Sequence, residues 1–496
     1  QSQHFEVKWP EEETNSKIPA KALIGSDTSG FYIYRQNNAD DSFILLDRYH
    51  YSDFQRVSST EIALPKVGKR STRLEKIIFL NDHFLLFTSF YDKGSDLNRA
   101  FASLLDTSGN IIKSMFEVDR IENVTSKKNT GSFSFQLSPD SSLVLAFHNT
   151  PYRESENARF SVKLFDNKLN EKWQKKFKMP YADQNFEVVN ALVDNDESVF
   201  MICRLFGEDL FRTGEMNASK KYTLFHYNHS GRKLTEYEIN VDDNWIHSAR
   251  FELVNDTTLV GAGFYSGSGQ GNISGVFNIR LNTRTGELAN HGFEDLPRDV
   301  ILDVTYNDDL LFGGLASFEL RKMLTRNDGT IVLVAEKAYV STSTYFDPYT
   351  GQRLTTYYYH NDDVIVASVT PGGKIEWTTI IAKNQSTSSN DDRYSSVAVN
   401  LYDESVFILF NDHPQNLNFI REPGEIKTVS NFNKAIAVVA SLDRVGSLIY
   451  KPLFPDKDPE SIIQPRFSRN SETRRQLIYG ERNGKDKFGE IFYRTD

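Results

Sequence analysis

Several residue types are scarce in this sequence, and each scarcity closes a class of explanation. One cysteine, Cys203, stands alone in 496 residues, so neither an intrachain disulfide nor a cysteine-rich metal centre is available. Its run, Val199-Phe200-Met201-Ile202-Cys203, reads as a buried strand in which the thiol acts as a small apolar group. No stretch reaches the roughly 18 consecutive apolar residues that a membrane-spanning helix needs, so the chain is not expected to cross a membrane itself. Charge of one sign is never concentrated: 57 Lys+Arg against 67 Asp+Glu gives 57 − 67 = −10, an acidic excess that argues against a nucleic-acid partner. Helical periodicity is almost absent.

Aromatic and β-branched residues grouped around Asp, Asn and Gly are abundant. Aromatics form 13% of the chain, which rules out a disordered polymer. Phe79-Leu80 and Phe84-Leu85-Leu86-Phe87 flank Asn81-Asp82-His83. The same device recurs at Leu137 to Phe147, Leu192 to Met201, Leu253 to Val260, Leu324 to Val334 and Leu401 to Leu409. Weaker copies at Ile24 to Tyr34 and Phe467 to Tyr479 bring the hairpins to eight. Asp and Asn cap backbone groups in tight turns, and Gly accepts positive φ there.

A second hairpin follows the first in each unit. Its turn markers Gly109, Asn170, Gly231, Gly286, Gly373 and Gly446 are spaced by 61, 61, 55, 87 and 73 residues, and Phe43 to Asp47 opens an irregular first copy. Two hairpins per period of about 60 predict four-stranded antiparallel blades, with strands a to d in chain order. After the seventh c–d hairpin, the chain offers only Ile462 to Ser468, Gln476 to Tyr479 and Phe488 to Tyr493. The segment His4 to Pro10 resembles other d strands and can supply the missing one, hiding a sheet edge. The expectation is an all-β, single-domain, eight-bladed β-propeller over residues 1–496, closed by its N-terminal strand and averaging 496/8 = 62 residues per blade. Seven blades is the alternative, if the Phe467 hairpin is not a blade.

Within this architecture, the a–b and c–d turns are short and interchangeable. Long segments fall in b–c or d–a connections: 150–158, 206–221, 265–275 and the insertions 296–317, 339–363 and 411–434. In a propeller these lie on one face, and long loops on a rigid scaffold are where binding resides. Strands b and c of the sixth unit are predicted to extend as a projecting hairpin through Asp347-Pro348-Tyr349-Thr350-Gly351. Tyr339, Tyr345, Phe346, Tyr349, Tyr357, Tyr358 and Tyr359 are its candidate partner-binding residues, since tyrosine gives rigid contact area with a polar tip. Equally, these aromatics can pack on neighbouring blades or on the 296–317 insertion. A second candidate site is the central channel mouth, where Glu187, Glu252, Glu319 and Arg321 lie on or near a strands and suit glycan binding or hydrolysis.

Other motifs have plainer readings. Gly261-x-Gly263 and Gly267-x-Gly269-x-Gly271 follow a strand, but no helix receives a phosphate, so a flexible b–c loop is expected. His226, His229 and His247 lack zinc-protease spacing. Clusters such as Asp194-Asn195-Asp196, Asp242-Asp243 and Asn361-Asp362-Asp363 offer oxygens to calcium, but none has EF-hand spacing and turn capping explains them; no cofactor or metal is expected. Lys172, Lys175, Lys176 and Lys178 read as a solvated outer strand. No Gly-x-Ser-x-Gly elbow, no regular Trp-Asp endings and only four tryptophans disfavour a propeller–hydrolase, a WD40 protein and a quinone-dependent enzyme respectively.

The cassettes Leu333 to Tyr339, Tyr357 to Asp362, and Gly373 to Trp377 with Lys383-Asn384-Gln385 resemble a largely uncharacterised group of exported β-propeller proteins of Bacteroidota-type bacteria. That resemblance implies a periplasmic or outer-membrane-associated location and no established catalytic residues. Starting at Gln1 without Met, the chain is expected to be a mature protein whose signal peptide has been removed. The functional expectation is a non-enzymatic scaffold of the cell envelope, an accessory subunit that binds a protein partner in an outer-membrane or secretion assembly.

Overall fold

The computed structural model describes residues 5–11, 14–15, 18–37, 39–80, 82–206, 221–230, 232–239, 241–242, 244–267, 272–305, 315–346, 353–388, 393–418, 426–454, 461–472 and 474–494. Its fold is all-β. Among the described residues the strands form eight antiparallel sheets of four or more strands, plus the small ladder Lys66–Val67 with Arg70–Ser71. Seven sheets are built on four consecutive strands in chain order, and the sixth adds the short strand Ser386–Thr387. The first, Ala20–Ser26, Gly30–Arg35, Phe43–His50 and Arg56–Ala63, has all four strands, with register shifts in its first and third strand pairs.

The eighth sheet joins both ends of the chain. Ile462–Ile463 and Arg469–Glu472 pair with Arg475–Arg482, which pairs with Lys485–Tyr493. Phe5–Lys8 lies along that last strand, with Phe5 opposite Tyr493 and Val7 opposite Ile491. Alternation decides what each strand buries, because successive side chains point to opposite sheet faces. In the second sheet, Phe84 and Leu86 pack with Tyr32, Ile44 and Ile62 of the first, while Leu85 and Phe87 pack with Phe135 and Val144 of the third. Both faces are therefore covered, which is why the middle strands read as continuous apolar runs.

The pattern repeats around the chain. Buried clusters join the third sheet to the fourth, the fourth to the fifth, the fifth to the sixth and the sixth to the seventh. Phe407, Leu409 and Val439 of the seventh pack on Phe5, Ile478 and Ile491 of the eighth. Tyr479 and Phe488 of the eighth then pack on Phe31, Ile33 and Tyr49 of the first. Short turns also meet: Asn195 bonds both the Asp140 amide and the Asp256 carboxylate, and Arg444 reaches Asp328 at 3.0 Å.

Two local expectations change. Gly261 and Gly263 lie inside the strand Thr258–Ser266 rather than in a loop, at positions where a Cβ would collide with the Phe251 ring or the Ser248 backbone. Gly267 follows that strand, and Gly269 and Gly271 lie outside the described residues. The 296–317 insertion contains a helix, Arg298–Thr305, preceded by Leu296, which is buried with Ile273 and Leu315. Eight residues are too few for a sequence periodicity to announce it. No helix among the described residues is long and apolar enough to cross a membrane.

Candidate functional site

Val, Thr and Tyr favour extended backbone because branched and aromatic side chains pack well on a pleated surface. They carry Ile331–Phe346 and Arg353–Val369 far beyond their neighbours in the sixth sheet, paired from Ile331 opposite Val369 to Phe346 opposite Arg353. The flanking strands end sooner, Phe318 pairing with Lys337 and Ile381 with Val364. Past that level a two-stranded ribbon continues alone for nine residues of its first strand, Ala338 to Phe346, except where Ser386–Thr387 pairs with His360 and Tyr359. At about 3.3 Å per residue, the ribbon is roughly 30 Å long.

Its register sorts the candidates onto two faces. Tyr339, Tyr345 and Tyr358 share one face, and Phe346, Tyr357 and Tyr359 share the other, with Val340. Tyr345, Phe346 and Tyr357 are 61%, 57% and 52% exposed, high values for rings of this size. Tyr358 and Tyr359 are half-buried. Tyr339 stacks on His360 at 4.4 Å, and His360 in turn bonds Ser341 Oγ at 2.8 Å. Burial and the Asp362 carboxylate push the Tyr339 hydroxyl up to about 12. Tyr349 lies outside the described residues.

The ribbon leaves the sheet at a bulge. Glu336 pairs with Val364 and Ala338 with Asn361, so Asp362 and Asp363 share the space opposite Lys337. Beneath the bulge lies a buried polar network that the sequence did not reveal. Glu336 lies 2.8 Å from the Lys383 ammonium, bonds Arg321 Nε at 2.7 Å and accepts from Ser396 Oγ at 2.5 Å. Burial works against the Glu336 charge, but Lys383 and Arg321 outweigh it and hold the carboxyl below its ordinary range. Lys383 Nζ also donates to the Asn361 carbonyl and to Gln385 Oε1. Gln385 continues to the Asn411 carbonyl, and Asn411 Nδ2 donates to the Tyr394 and Ile463 carbonyls, so the network spans the sixth to eighth sheets. The available signal was an isolated acid, Glu336, inside the apolar run from Ile331.

Of the four channel-mouth candidates, Glu319 and Arg321 are brought together. Glu187 pairs with Arg204 of the adjacent strand at 2.5 Å, and Glu319 with Arg321 at 2.5 Å. Arg321 also bonds Glu336 and belongs to the buried network, and Glu252 is exposed. Among the described residues no group of three or more His, Cys, Asp and Glu is placed to hold a metal ion. Cys203 is fully buried, which pushes its thiol well above the ordinary range.

No family model matches the chain, and no curated protein matches it. Similar solved structures include the WD40 domain of SCAP from fission yeast, at 9% identity and TM-score 0.43, covering 99% of this chain and 96% of that one. Quinohemoprotein alcohol dehydrogenase from Comamonas testosteroni is similar at 8% identity and TM-score 0.44, over 98% of this chain and 76% of its own. Prolyl oligopeptidase B from Galerina marginata reaches 11% and 0.40, over 93% and 55%. Likenesses of this size say nothing about activity here.

Proposed function

We propose that the chain is an eight-bladed β-propeller, closed by its N-terminal strand, that serves as a non-enzymatic protein-binding scaffold of the bacterial cell envelope. Eight sheets joined pairwise by eight apolar clusters, with the eighth built from both chain ends, support the ring. In that ring the insertions 296–317, 339–363 and 411–434 share one face. The observation that carries the binding role is the ribbon: exposed Tyr345, Phe346 and Tyr357 stand on paired backbone whose base is fixed by buried charges. Leaving large rings in water is unfavourable, and a rigid aromatic surface loses little entropy when a partner covers it. The envelope location rests on the family resemblance, and the partner is a subunit of an outer-membrane or secretion assembly.

The test is affinity capture from envelope fractions with the wild type and the triple variant Tyr345→Ser/Phe346→Ser/Tyr357→Ser. Loss of a specific partner at unchanged melting temperature is expected. A variant that keeps every partner overturns the role of the ribbon.

A further inference from the structure

A second site lies between the second and third sheets, far along the chain from the ribbon. Strand register creates it. His148 is opposite Ser161, Ser161 opposite Lys176, and Arg159 opposite Lys178, so these side chains share one face of the third sheet. The alternate residues Phe147, Phe160 and Phe177 turn the other way and pack towards the fourth sheet. Arg120, at the end of the second sheet, faces the cationic side across a cavity of about 270 Å³.

Charge in this cavity runs against that of the whole chain. Its lining carries Arg120, Arg153, Arg159, Lys176 and Lys178 against Glu122, Glu156 and Asp183, five cations to three anions in a chain of net charge −10. Arg153 and Arg159 share Glu156, and Arg120 pairs with Glu117. Lys176 and Lys178 form no ion pair among the described residues. At the cavity wall is a buried polar group: His148 is 4% exposed, and its Nδ1 is held by Asp119 at 2.5 Å. This bond fixes the ring orientation, leaving Nε2 with no hydrogen-bond partner among the described residues. Because Asp119 accepts from Nδ1–H, the neutral ring presents Nε2 as an acceptor for a ligand hydroxyl, while the ammonium groups beside it in the concave site suit an oxyanion on the same ligand.

We propose that this cleft binds a small hydroxylated ligand through a carboxylate, sulfate or phosphate group, with Lys176, Lys178 and Arg159 supplying charge and His148 Nε2 accepting from a ligand hydroxyl. The volume fits a ligand smaller than a typical drug-sized molecule. The site is independent of the ribbon and of the number of blades.

Titration calorimetry at low salt with glucuronate, inorganic sulfate and inorganic phosphate tests it and distinguishes the three groups. The double variant Lys176→Gln/Lys178→Gln is compared with Lys172→Gln/Lys175→Gln, an equal charge change on the same strand. Lys172 instead pairs with Glu197, and Lys175 lies over Tyr227. The expected result is saturable binding of at least one probe, weakened about tenfold or more by the first double variant and less than about twofold by the second, a contrast of local against long-range charge. Absence of saturable binding for all three probes, or equal weakening by both double variants, overturns the proposal.

Discussion

The ammonium of Lys383 lies 2.8 Å from the carboxylate of Glu336, with both side chains wholly withdrawn from solvent. A charge buried in this way is stable only with its partner, since removing one member leaves the other desolvated and uncompensated. The pair ties the chain just after the strand Ile375–Ile381 to the bulge from which the ribbon springs, so packing energy and the aim of the exposed rings depend on the same contact.

Lys383→Met is therefore expected to destabilise the protein by about 3–5 kcal/mol. Lys374→Met, at a largely exposed lysine 3.6 Å from Glu294, should cost less than about 1 kcal/mol. Urea unfolding measures both. Hydrogen exchange at 338–346 should accelerate in the first variant alone; unchanged exchange there would separate the network from the ribbon.

A second buried cation fastens the two ends of the chain. Arg35 donates to Asp47 at 2.6 Å, to Asp486 at 2.6 Å and to the Tyr49 hydroxyl at 2.8 Å, linking the first sheet to the eighth. Burial raises the Asp486 carboxyl and Arg35 opposes that shift. Arg35→Met should cost about 3–5 kcal/mol, and Arg35→Lys somewhat less, because an ammonium keeps the charge but cannot span three acceptors in one plane. Limited proteolysis should then cut first near residues 5–11 and 485–494. Cleavage elsewhere, with both termini protected, would contradict this account of the seam.

His226 predicts a pH dependence. It stacks on Phe200 at 4.5 Å with Nε2 buried and unpartnered among the described residues, and burial pushes its pKa down to about 4 from 6.5. As pH falls from 6.5 towards 4, the unfolded chain takes up a proton that the folded chain refuses. The stability contributed here is complete above pH 6.5 and declines across that window, by about 1–2 kcal/mol between pH 7 and 4.5. Asp194 acts in the opposite sense: burial pushes it up to about 6, so its contribution is lost as pH rises from about 4 to 6. The difference between wild type and His226→Leu isolates the histidine. Parallel denaturation profiles for the two proteins would refute its role.

Much of the fold was legible because its signals are local. Asp106 caps its own turn by accepting from the Ser108 and Asn110 amides, and Asp166 does the same for Lys168 and Asn170. Those spacings recur in the chain as they stand. The long b and c strands of the sixth unit were readable for the same reason, from uninterrupted Thr, Tyr and Val. The channel-mouth set was less legible. Being on first strands did not tell that Arg321 would turn towards Glu336, since that depends on a bulge at Arg321 itself, between Leu320 opposite Ala335 and Lys322 opposite Val334.

The amino-acid sequence alone determined the repeated hairpins, the alternation of apolar side chains and the lone buried thiol, because each depends on neighbours within about ten residues. Tertiary structure decided which distant charges would meet. Glu336 finds Lys383, Arg35 finds Asp486 across nearly the whole chain, and Arg120 faces Lys176 across a cleft. Burial and strand register fix those meetings, and both arise only when one sheet is packed against the next.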